Sequence, residues 1–67
     1  MNNAELRSLR ESLGLSPSWC ADNVGFCSLR TWQYWETGRA GKLVPVPADV
    51  QRRMEALSVA IQRALEA

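Results

Sequence analysis

Arg30, Gln33, Tyr34 and Thr37 share one side of the stretch 28–41 when successive residues are turned by about 100°, and Trp32 and Trp35, with Leu29 beside them, share the other. One face is built for packing and the other for recognition. Arginine pairs bidentately with guanine and glutamine with adenine, so a short helix anchored by two tryptophans and presenting these groups outward suits a DNA major groove. Arg30, Gln33 and Tyr34 are therefore read as base-contacting. Ser28 and Thr31 flank the start of the helix, where backbone amides and hydroxyls suit a phosphate oxygen. With Ser16 and Ser18 around Pro17, and with Thr37, Arg39 and Lys42, they form the set expected on the DNA backbone. Each has a plainer role open to it: capping for Ser16 and Ser28, solvation for the basic side chains. Glu36 is the odd member, projecting about 40° from Trp32 and so toward the interior, where an unpaired carboxylate is costly.

Four helices must position these groups. Asn2 and Glu5 have the spacing of a capping box, Leu6, Leu9 and Leu13 repeat at helical spacing and Gly14 follows, which predicts a first helix over residues 3–13. Ser16 before Pro17 starts a second over 17–24, with Trp19, Cys20, Ala21 and Val24 apolar and Gly25 as its stop. Ser28 caps a third over 29–37, ended by Gly38. The unit 16–38 then reads as a helix-turn-helix. Trp19, Trp32 and Trp35 are expected in the core, because a small domain gets much of its burial from aromatic residues. Residues 39–47 read as a loop, extended over 44–47 by its prolines. From Pro47 a last helix runs to about residue 66, and Val50, Met54, Leu57, Ile61 and Ala64 form a heptad-like stripe along it, widened by Leu65. That stripe exceeds what so small a core can cover. Val50, Met54, Leu57 and Ile61 are accordingly expected to pair two copies of the chain, with some of the stripe packing within one copy.

A chain of 67 residues lies near the lower limit for burying a sufficient core, and we read it as one all-α domain. Its 46% hydrophobic content and 22% charged residues are globular, without an apolar run of membrane-spanning length or a signal peptide. The net charge of +1 is small, but it is unevenly placed: between residues 28 and 45, Arg30, Arg39 and Lys42 face only Glu36. Two cysteines and no histidine exclude the usual zinc spacings and a Cys/His nucleophile, so neither metal, cofactor nor catalysis is expected. Cys20 and Cys27 are read as reduced thiols, with a disulfide between them as the alternative.

Leu13-Gly14-Leu15-Ser16, then Ala21 and Gly25, then Trp35-Glu36-Thr37-Gly38-Arg39 resemble the helix-turn-helix of Cro and phage repressors, over roughly residues 3–42. Two departures stand out: one extra residue between Gly25 and Trp35, and Pro17 where that family commonly has a DNA-touching glutamine. The longer turn, the segment 30–39 and Val46-Pro47-Ala48-Asp49-Val50 are similar to the anti-CRISPR-associated repressors. The resemblance implies a cytoplasmic homodimer in a bacterial cell, encoded by a phage or mobile element, that represses its own operon at an inverted repeat of double-stranded DNA. It also implies that Arg10 of the first helix pairs with Glu36 as a structural unit. Two other classes fit the same residues. One is an RNA-binding regulator, since basic residues beside an exposed tyrosine also suit looped RNA; the other is an antitoxin-like module that binds a protein through the Arg30 face.

Overall fold

The computed structural model describes residues 2–66 and contains α1 (Asn3–Ser12), α2 (Pro17–Cys20), α3 (Leu29–Thr37) and α4 (Ala48–Glu66). Helix α2 continues as a wider π-helical turn over Ala21–Gly25. The starts are local chemistry. Asn2 accepts from the Glu5 amide at 2.8 Å while Glu5 reaches back to the Asn2 amide at 3.3 Å, a complete capping box. Ser16 accepts from the Trp19 amide, and Ser28 from the Thr31 amide.

Leu6, Cys20, Ala21, Val24, Trp32, Trp35, Val46, Val50 and Met54 form the buried core. The rings of Trp32 and Trp35 meet edge to face with centroids 5.7 Å apart, a favourable arrangement for two indoles. Val46 enters this core from the connection between α3 and α4, so part of the segment expected to be loop also packs.

Several expectations are corrected. Trp19 is 41% exposed and Leu29 43% exposed, because the core side of their helices is already filled by Cys20, Ala21 and Trp32. Neither belongs to the interior. Gly25 does not terminate the second helix through a left-handed backbone; Phe26 does, at φ 49°. What Gly25 supplies is space. A Cβ there would lie 2.9 Å from both the Trp35 ring and the Cys27 sulfur. The Cys27 amide donates back to the Ala21 carbonyl, which closes the widened turn and accommodates the extra residue in this connection.

Helix α4 divides the predicted apolar stripe in two. Val50 and Met54, 2% and 0% exposed, are spent inside this chain's own core and are unavailable to a second copy. Leu57 packs partly on that core. Beyond it, Ile61 is half-buried, while Val59 and Leu65 are exposed along with every residue from 62 to 66. The extents of 43 × 19 × 19 Å reflect this projecting end. Among the described residues no helix is long and apolar enough to cross a membrane.

Candidate nucleic-acid interface

The recognition surface begins with what holds α3 from behind. Arg10 meets Glu36 bidentately, Nε to Oε2 at 2.7 Å and Nη2 to Oε1 at 3.1 Å, and its Nη1 donates to the Leu15 carbonyl. The indole N–H of Trp32 donates to the same carboxylate. The side chains of Arg10 and Glu36 are only 11% and 6% exposed. Every polar atom of the pair is thus matched, the condition under which a buried ion pair is tolerated. The hydrogen bonds that Arg10 donates to Glu36 keep its guanidinium above its ordinary pKa, against the opposing effect of burial.

Asn3 holds the end of α3, although no motif marks it in the sequence. Its side-chain amide, in a residue only 7% exposed, donates to the Trp35 carbonyl at 2.5 Å and the Val44 carbonyl at 3.1 Å, with the Tyr34 carbonyl at 3.4 Å. Helices leave their last four carbonyls without partners, and Asn3 supplies a donor there from another helix. The only signal was a second asparagine at a helix start that needs one cap. Arg53 is equally unmarked. It donates to the Val24 carbonyl at 2.6 Å and lies 5.1 Å over the Phe26 ring, tying α4 to the turn before α3.

On the outward face Arg30 and Gln33 are exposed, and neither side chain has an intramolecular hydrogen bond or ion pair among the described residues. Tyr34 is half-buried, with Arg39 5.3 Å above its ring. The Thr37 hydroxyl donates to the Gln33 carbonyl at 2.8 Å, the ordinary behaviour of threonine on a helix surface. Ser28 and Thr31 share a hydroxyl contact at 3.0 Å at the start of α3, and Ser16 caps α2 beside exposed Ser18. Since Glu36 is committed to Arg10, nothing acidic between residues 28 and 45 offsets Arg30, Arg39 and Lys42.

Both thiols are free. Burial pushes Cys20 from 9.0 to about 11 and moves Cys27 in the same direction, so neither is an activated nucleophile.

A short helix, a tight turn and a second helix whose exposed face carries free Arg and Gln define an all-α helix-turn-helix domain. The whole sequence, residues 1–67, matches the Aca2/YdiL-like family. A curated relative, the Aca2 repressor of Pectobacterium phage ZF40, is 44% identical over 54 residues, which is 81% of this chain and 43% of the relative. The chain therefore spans less than half of that protein's length. It belongs to the Aca2/YdiL-like family.

Proposed function

We propose that the chain is a non-catalytic DNA-binding transcriptional repressor that places α3 in the major groove of an operator. The observation that carries this reading is the contrast across α3: Arg30 and Gln33 are exposed and uncommitted, while Trp32, Trp35 and Glu36 clamp the opposite face. A held helix with free Arg and Gln side chains meets the requirement for direct readout. Ser16, Ser18, Ser28, Thr31, Thr37, Arg39 and Lys42 surround it as contacts to phosphate. The relative's description as a repressor supports the same role.

The finer proposal is autoregulation of an anti-CRISPR operon by a homodimer on an inverted repeat. Leu57 and Ile61, with exposed Leu65 one turn further along the same side of α4, are the apolar groups that would meet a second copy. Two-fold pairing there sets half-sites about 34–36 Å apart, or a multiple of that spacing.

Footprinting on the promoter upstream of its own gene tests the reading, together with gel shifts on that site and on a scrambled duplex. Arg30→Ala should lose roughly 1–3 kcal/mol on the operator and little on the scrambled DNA. Equal losses on both would remove the base-reading role, and preference for the transcript over the duplex would favour an RNA target. Sedimentation of Ile61→Glu should give a folded monomer with weakened operator binding; full affinity in a monomer would refute the dimer.

A further inference from the structure

The segment after α3 is not the irregular loop its prolines and glycines suggest. Arg39 and Lys42 pair through both backbone hydrogen bonds, amide to carbonyl at 2.8 and 3.0 Å. Between them Ala40 and Gly41 have φ of 52° and 77°, the two positive values that the tightest two-residue hairpin requires. Gly38, at φ 85°, lets this hairpin fold back onto the end of α3: a Cβ there would collide with the Lys42 carbonyl. Asn3 then bonds the carbonyls of Trp35 before the hairpin and Val44 after it, so both of its ends are pinned to one side chain.

Directly opposed residues of an antiparallel pair carry their side chains on the same face. Arg39 lies over the Tyr34 ring, so Lys42 emerges on that side too. No carboxylate occurs between residues 37 and 48 to neutralise them. A flexible arginine loses rotamer freedom when it grips a phosphate, whereas one already laid on an aromatic face has lost much of it beforehand.

We propose that Tyr34 is a positioning residue acting through the face of its ring. It holds Arg39 beside Lys42 so that the two cations clamp one phosphate of the DNA backbone next to α3. This rests on the DNA-binding reading and replaces the expectation that Tyr34 contacts a base. The planar guanidinium is the group that stacks, and the phenol hydroxyl has no part in the clamp.

The test is affinity for the operator and for a scrambled duplex at several salt concentrations. Tyr34→Phe should bind both duplexes within about twofold of the unmodified protein. Tyr34→Leu should lose roughly fivefold on both alike, and Arg39→Ala should lose more and reduce the salt slope by about 1. Combined, the two losses should fall well short of multiplying. Arg39→Lys retains the charge without the stacked plane and should show most of the Arg39→Ala defect, which keeps the test decisive if Tyr34→Leu does not fold. A Tyr34→Phe defect confined to the operator, multiplying losses, or an Arg39→Lys protein of full affinity would overturn the inference. Failure of the unmodified protein to bind either duplex would instead remove the DNA-binding reading on which it stands.

Discussion

Helices α3 and α4 are both amphipathic, yet they are held in different ways. The nine residues of α3 are fastened at their start by Ser28, along their inner face by Trp32 and the Arg10–Glu36 pair, and at their end by Asn3. The nineteen residues of α4 are fastened only in their first half, by Val50, Met54 and the bond from Arg53 to Val24. No side chain after Arg53 makes a hydrogen bond or ion pair among the described residues. Polar contacts fix direction and register as apolar burial alone does not, since dispersion and hydrophobic gain are non-directional. The comparison separates a helix held in one orientation from one whose free end has apolar surface still to cover.

The largest break in this contrast is expected from Glu36→Gln, which leaves the largely buried Arg10 guanidinium with only the exposed Glu11 carboxylate, 3.8 Å away, as a counter-charge. A cost of roughly 3–5 kcal/mol is the ordinary scale for such a loss, comparable with the whole stability of a domain this small. Thermal melts by circular dichroism should show extensive unfolding. Adding Arg10→Met should restore part of the loss, and strictly additive damage would mean that the two residues do not act as a unit.

Within α4 the two halves should respond unequally. Met54→Ala empties a fully buried site and should cost about 2–4 kcal/mol in urea denaturation, whereas Ile61→Ala in a monomeric preparation should cost under about 1 kcal/mol. Equal costs would remove the distinction between a packed half and a free half.

A pH titration sharpens the same boundary from the core side. Burial raises the folded-state pKa of Cys20 to about 11, while an unfolded chain ionises this thiol near 9.0. The contribution is therefore complete below pH 9 and is lost as the pH rises toward 11, because only the unfolded state gives up the proton. The expected loss is about 2 kcal/mol. Cys20→Ala should abolish this part of the alkaline instability, and an unchanged alkaline profile would contradict the assignment.

The smallest effect is expected at the end of α3. Asn3→Ala removes the donor shared by the carbonyls of Trp35 and Val44 and should cost about 1 kcal/mol. Its signature is local: faster hydrogen exchange at the Gly38 amide, which bonds Tyr34 at 2.8 Å, with α1 unchanged. Uniformly faster exchange would show that Asn3 supports the whole fold rather than one helix end.

Much of this arrangement is legible in the sequence, and the parts that are not share a cause. The α3 and α4 boundaries were read directly, and the Arg10–Glu36 pair followed from resemblance combined with the inward projection of Glu36. Asn3 and Arg53 were invisible because each bonds a backbone carbonyl distant in sequence, and a carbonyl carries no residue-type signature. The 39–42 hairpin was hidden behind Ala40, an unusual occupant of a left-handed position. Phe26 misled in the same way, since a large aromatic residue at positive φ is not what composition suggests beside an available Gly25.

What the chain determined alone is what lies within one helical turn. The Asn2–Glu5 box, the Ser16 and Ser28 caps and the inward pairing of Trp32 with Trp35 depend on groups three or four positions apart, and such contacts form wherever the segment is helical. Tertiary structure decided which apolar groups became core. Val50 and Met54 were drawn inside, Trp19 and Leu29 were left outside, and Val46 was recruited from a segment with no helical pattern. The reason is that burial is not a property of a residue. It depends on which surface arrives opposite, and those surfaces come from helices and a connection far apart along the chain.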